Sequence, residues 1–383
     1  MRRADSATWK PLIFAVFMVW LVGCGGQGSE PQATALPTHT SVPALPFDVQ
    51  LTLWHPYTDT TLNGLQAITE AFNASQNQIE VVLEYHRAET MLADYELAVR
   101  SGGGPDILVG NYQWIAPLAD NRLIYPLSAE FRSAAEDSIP AALTSSLEYR
   151  RDLWGVPLMG DTLVLYLNDT ILTEESDLLA QPTLIDPAGI YALYHGVQLS
   201  MVDADGRSTF LRLDLMSYLR EYRQIMENDN VRWGDDSADF INGDVQQYIG
   251  YASAYPALQA QLGDALTVVT LPSGWRPFVE VVPLLLSANA TDTSVEAATR
   301  FFAYVLSASG QQVFIDASGW VPPIAGSRSD VEWTMAVMFE RSQGVSPYPL
   351  YYETILPQLE VYLERARTED IEQVADEFLE AIR

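Results

Sequence analysis

The side chains available for chemistry are 9 Trp and 19 Tyr beside 50 carboxylates and only 4 His. Catalytic patterns are missing from them. His39, His55, His86 and His195 show no metal-ligand spacing. There is no Gly-x-Ser-x-Gly elbow, and no cysteine beyond Cys24 that could act as a nucleophile. Lys10 is the only lysine, which excludes a Walker phosphate loop and lysine Schiff-base chemistry in the rest of the chain. With so many carboxylates some acids must lie close together, so paired acids alone do not indicate hydrolysis. No catalytic residue, metal or cofactor is therefore expected.

What remains is recognition. Aromatic and polar residues cluster just after segments that read as strands: Trp54, His55 and Tyr57; then Asn111, Tyr112, Gln113 and Trp114; then Asp161; then Tyr251 with Tyr255. Trp320 joins them, with core packing as its rival role. An α/β sheet places ligands at the carboxyl ends of its strands. An aromatic plate stacks on the C–H face of a sugar ring while Asp, Asn and Gln bond its hydroxyls, so this set suits a carbohydrate. For any single aromatic, packing is the commoner role.

The elements that position these residues follow from periodicity. Residues 49–54 alternate apolar and polar as a strand does. Asp59 or Thr60 can cap the helix whose face is Leu62, Leu65, Ile68 and Phe72. Residues 79–84 read as a strand, 91–99 as a helix and 107–109 as a strand. The Gly102-Gly103-Gly104 run precedes a strand, whereas phosphate cradles follow one, so it reads as a plain turn. Further strands are expected over 154–167, 245–251, 266–271 and 279–286, and a helix over 211–226. Thr293-Ser294-Val295-Glu296 has the capping-box pattern, opening a helix with Val295, Ala298, Phe302 and Val305 inward. Residues 355–366 are helical, and Ile371, Val374, Phe378 and Ile382 form the stripe of a last helix. Residues 170–205 give no clear signal. Alternating strands and helices of this length predict an α/β fold.

Residues 1–24 carry Arg2, Arg3 and Lys10 ahead of a short apolar run ending in Leu21-Val22-Gly23-Cys24. The run is too short to span a bilayer and has the layout of a secretory signal. Its end resembles the bacterial lipobox, which implies diacylation of Cys24 and a membrane anchor. Residues 25–46, rich in Gly, Ser, Thr and Pro, form a flexible tether. Residues 47–383 exceed one compact core, so two domains are expected. The net charge of −29 argues against nucleic acid and, more weakly, against an anionic ligand.

Several segments together resemble the extracellular solute-binding proteins of carbohydrate ABC importers, the maltose-binding-like group. They are Leu51-Thr52-Leu53-Trp54-His55; Gly104-Pro105-Asp106-Ile107-Leu108-Val109 with 114–119 and 123–127; Trp154-Gly155-Val156-Pro157 with Asp161-Thr162 and 165–168; and Glu296-Ala297-Ala298 with Phe301-Phe302 through Gly319-Trp320-Val321-Pro322. The resemblance implies a periplasmic-binding-protein-like fold: two α/β lobes, a ligand cleft between them, and crossover strands near 159–161, Phe278 and Trp320. It divides the chain into an N-terminal lobe (47–159 and 279–319) and a C-terminal lobe (160–278 and 320–383). It implies that Asp161 and the residues after the Pro-Asp strand bond the sugar, that second-lobe aromatics stack on it, and that a monomer delivers it to ABC permease subunits.

The chain departs from the family pattern in places. Ser253 stands where Trp is common, so Tyr251 or Tyr255 is the candidate substitute. The Pro-x-Thr-Trp-Asp-Glu-Leu stretch is not evident, and Val321-Pro322-Pro323-Ile324 replaces the usual Pro-x-Arg. The readings left open are an importer's binding protein, a ligand-sensing lipoprotein of the same fold serving a membrane sensor, a binder of a non-sugar solute, and a glycan-degrading enzyme. Two pocket carboxylates flanking a bound sugar would mark the last.

Overall fold

The structure is a computed structural model, and it describes residues 48–136, 139–168, 179–192, 202–203, 205–272, 274–320 and 330–383. The expected signal, Cys24, the tether, much of 170–205 and 321–329 lie outside the described residues. The first sheet begins with β1 (Val49–His55), whose Leu51 and Leu53 are fully buried. The Asp59 carboxylate accepts the Thr61 N–H and so caps α1 (Thr60–Ser75), which buries Leu65, Ile68 and Phe72 on one face. Then come β2 (Ile79–Tyr85), α2 (Ala88–Arg100), β3 (Ile107–Val109), α3 (Tyr112–Asp120), β4 (Ile124–Tyr125), α4 (Ala129–Glu136) and α5 (Ala141–Ser146). A short hairpin, β5 (Glu148–Tyr149) and β6 (Asp152–Leu153), leads into β7 (Gly155–Asp161).

The chain then enters a second sheet through β8 (Leu163–Asn168). It continues through β9 (Thr183–Ile185), α6 (Arg212–Met226), β10 (Val231–Trp233), α7 (Ala238–Ile241), β11 (Gln247–Tyr251), α8 (Tyr255–Leu262) and β12 (Leu266–Val269). It returns along β13 (Phe278–Ser287), then forms α9 (Asp292–Val305), α10 (Ala308–Ser318), α11 (Asp330–Arg341), β14 (Gln343–Gly344), α12 (Leu356–Ala366) and α13 (Ile371–Ala381).

The first sheet has the order β14-β13-β3-β1-β2, with β4 and β7 also paired to β13; the second runs β10-β9-β11-β8-β12. In the first, β1, β2 and β3 are parallel while β13 runs against β3 and β7. In the second, β9, β10 and β11 are parallel, with β8 antiparallel between β11 and β12. Each sheet carries its own apolar core, and a third, helical core joins α6 to α12 and α13. α11 serves two cores at once: Met335 and Met338 enter the second, Phe339 the first.

One expectation is corrected. The cap of α9 is Thr291, which accepts the Ser294 N–H from extended backbone, so Thr293 already lies inside the helix. A hydroxyl two residues earlier reaches the open N–H first. Val295 is consequently only half-buried, while Ala297, Ala298, Phe301, Phe302 and Val305 face inward.

Candidate functional site: the junction of the two sheets

The last residue of β7 is Asp161, and its cross-strand partner on β13 is Glu280. The next residue, Thr162, is fully buried and opens the way to β8. Because β11 pairs with β8, Tyr251 stands opposite Leu163, and the 252–254 turn falls beside Asp161. Strand register therefore brings together residues some ninety positions apart. Asp161 Oδ1 accepts N–H bonds from Thr162 at 2.9 Å and Ser253 at 3.1 Å. The Tyr251 hydroxyl donates to Glu280 Oε1 at 2.9 Å, a bond from the second sheet to the first. The Tyr166 hydroxyl fixes this corner by donating to the Tyr251 carbonyl at 2.8 Å.

Thr162 ties three passages of the chain. Its hydroxyl donates to the Phe278 carbonyl at 3.2 Å and shares a 2.7 Å bond with Ser342 Oγ, while its carbonyl accepts the Ala252 N–H at 2.8 Å. Phe278 opens the return strand, and Ser342 lies between α11 and β14.

Burial dominates the electrostatics. It raises the Asp161 carboxyl to about 7, helped by nearby Glu280 and opposed by the Ser253 and Thr162 bonds. The Tyr251 phenol is pushed far above its ordinary range, first by burial and then by Glu280. Burial also raises Tyr112, opposed by its bond to Gln113 and aided by Glu280. Tyr248 is pushed up to about 12 by burial and by Asp186, Asp235 and Asp161. At neutral pH the phenols are neutral donors and acceptors, and Asp161 is poised to do either. Such a surface suits hydroxyls better than a fixed charge.

The expected site residues divide between this junction and the cores. Asp161 and Tyr251 meet Glu280, and Tyr112 lies within reach of its charge. Asn111 spends its side chain capping α3, accepting the Gln113 N–H at 2.8 Å. Gln113 donates to the Tyr112 hydroxyl at 3.2 Å, and its carbonyl accepts the Tyr352 hydroxyl at 3.1 Å, so the start of α3 is tied to the helical core. Tyr57 and Trp114 are half-buried against the first core. Trp54 and His55 are only 8% and 3% exposed. Trp54 stacks on His86 at 3.6 Å and donates to Glu84 at 3.1 Å, while burial lowers the His55 pKa. Both are enclosed by neighbouring side chains. Tyr255 packs on the second core and Trp320 on the first. Their chain neighbours lie close: Gly319 takes a left-handed turn (φ 74°), and a Cβ placed on it would stand 3.7 Å from Pro256 Cγ.

Sequence reasoning missed Glu280, Thr162 and Tyr352. Glu280 had a signal, being the one charged residue in an otherwise apolar strand. Thr162 and Tyr352 act through partners distant in sequence and had none.

Residues 67–340 match the bacterial extracellular solute-binding protein family. A maltotriose-binding protein from Pyrococcus abyssi is 21% identical over 125 residues, 33% of this chain and only 27% of that protein. The extracellular solute-binding protein of Staphylococcus aureus, solved with maltose, superposes with a TM-score of 0.71 at 17% identity, covering 87% of this chain and 96% of that one. The maltose-binding periplasmic protein of Listeria monocytogenes, also solved with maltose, gives 0.70 at 16% identity, covering 88% and 97%. These likenesses establish the fold as the two-lobed α/β architecture of maltose-binding-type periplasmic binding proteins.

Proposed function

This chain belongs to the bacterial extracellular solute-binding protein family, and from that premise we propose that it captures a mono- or oligosaccharide of the maltose type and delivers it to an ABC importer. The family binds solutes without transforming them, and it is exported. The observation that carries the sugar reading is the junction itself: Tyr112 of the first lobe, Tyr251 of the second, and Asp161 and Glu280 at the crossing present neutral phenols and hydroxyl-matching acceptors around one point. The maltose held by the two superposed proteins supports the same ligand class. In this reading the lobes are 47–159 with 279–319 and 160–278 with 320–383, Cys24 carries the lipid anchor, and permease subunits receive the closed, loaded monomer. Titration calorimetry with maltose, maltotriose and maltotetraose tests the proposal. Saturable heat with at least one of them is expected; no heat and no thermal stabilisation with any of the three overturns it.

A further inference from the structure

A cavity of about 470 Å³ lies beside the junction, lined in part by Phe278 and Ser342, the partners of Thr162, and none of the site residues expected from sequence lines it. Its walls come from α5, from residues 276–278 at the start of β13, and from 342–351. A second hollow of about 430 Å³ adjoins it, sharing Arg151 and Tyr348. Either volume is that of a small-molecule site.

Charge sets this place apart. In a chain of net charge −29, Arg132, Arg150, Arg151 and Arg276 all line the two hollows. The acids beside them are occupied. Glu148 pairs with Arg132, Asp205 lies 3.2 Å from Arg151 and 3.7 Å from Arg207, and Asp203 accepts the N–H groups of residues 205 and 207. Arg276 is half-buried, and its guanidinium has no partner among the described residues. That guanidinium is free to take an oxyanion from the cavity.

The backbone supplies an independent observation. Arg150 and Arg151 form the two-residue turn between β5 and β6, and both take left-handed conformations (φ 52° and 70°). Such a turn favours Asn-Gly, and side chains larger than these are strained there. The strained turn is held from inside the pocket. The Tyr348 hydroxyl accepts the Arg150 N–H at 2.9 Å, and the Arg132 guanidinium donates to the Arg151 carbonyl at 2.5 Å. Two guanidiniums are thus kept at the mouth of a cavity at the cost of local stability, as happens where strain serves a site.

We propose that this cavity is a second ligand site, for a small organic anion whose carboxylate or phosphate group is gripped by Arg276 and Arg151. Its apolar body rests on Phe278, Val345 and Tyr351. The site adjoins the sugar junction through Phe278 and Ser342, but none of Asp161, Tyr251, Glu280 and Tyr112 lines it. An oxyanion is the natural partner of a guanidinium fork.

The test titrates the mature chain with inorganic phosphate and, separately, with phenylacetate, against sodium chloride at matched ionic strength. Saturable binding of one or both oxyanions is expected, with chloride producing none; the stronger of the two identifies the head group. Arg276→Gln weakens that binding about tenfold or more. The paired change Arg150→Asn with Arg151→Gly raises the melting temperature, because it installs the residues the turn favours, and yet weakens anion binding. A merely structural turn would gain stability and leave binding unchanged. No saturable binding, equal binding in both variants, or an equal response to chloride overturns the proposal. Should Arg276→Gln fail to fold, the hairpin variant decides alone. Maltose titration of the same samples reports on the junction separately.

Discussion

Asp161 feels opposing influences on one carboxyl. Two N–H groups favour its charged form, while burial and Glu280 favour the neutral one, and burial prevails by raising it from 3.8 to about 7. In the unfolded chain this carboxyl has lost its proton by about pH 4. Between there and pH 7 the folded protein holds one more proton than the unfolded chain, so the Asp161 contribution makes stability fall as pH rises through that window and level off above it. Asp161→Asn is expected to remove this slope, seen by comparing denaturation midpoints at pH 5 and pH 8 in both proteins. At pH 8, where the Asp161 carboxyl is charged, the same change is expected to weaken sugar binding by about 1.5–3 kcal/mol, the worth of hydrogen bonds to a charged acceptor. An unchanged calorimetric affinity would remove Asp161 from the site.

At the scale of elements, Thr162 ties together the junction of the two sheets. Valine matches its shape but leaves the Phe278 carbonyl and the Ser342 hydroxyl without this buried partner. Thr162→Val is therefore expected to cost about 1–3 kcal/mol, read from urea denaturation. A neutral result would show that the three passages are held by packing alone. The contrast with what the sequence revealed is instructive here. β1, β2, β3 and β13 were legible because alternation or a long apolar run leaves a mark on residue type. β9, β10 and α8 are short, and their signals fall below those of their surroundings. Glu280 went unread because an exposed acid in a strand looks like an ordinary solvent-facing position. Ser253 read as the loss of a stacking Trp, whereas both its hydroxyl and its backbone N–H bond the Asp161 carboxylate. Trp54 and His55 sit at a strand end as expected, and both are buried there.

For the whole molecule, closure is the central expectation. Tyr251 and Glu280 already join the two sheets, and a ligand bridging Tyr112 and Tyr251 would favour the closed form over the open one. A ligand binding near micromolar supplies about 8 kcal/mol, ample to select closure. Small-angle scattering is expected to show a smaller radius of gyration at saturation with sugar; an unchanged radius would mean binding without closure. Anchoring is tested at the other end of the chain. Cys24→Ser is expected to release the protein from membranes with its folded part intact, and continued detergent-dependent association of the variant would count against lipidation.

The position of β13 has a consequence for biogenesis. It pairs with β3, β4, β7 and β14, yet it begins only at Phe278, so Leu284 must meet Val109 and Leu285 must meet Gly155 across long stretches of chain. A polypeptide emerging from its N-terminus thus carries β1 to β7 with the middle of their sheet unfilled until the second lobe has been made. Contacts so distant in sequence form slowly. In a chain exported unfolded, that delay would keep the early segments extended and transportable.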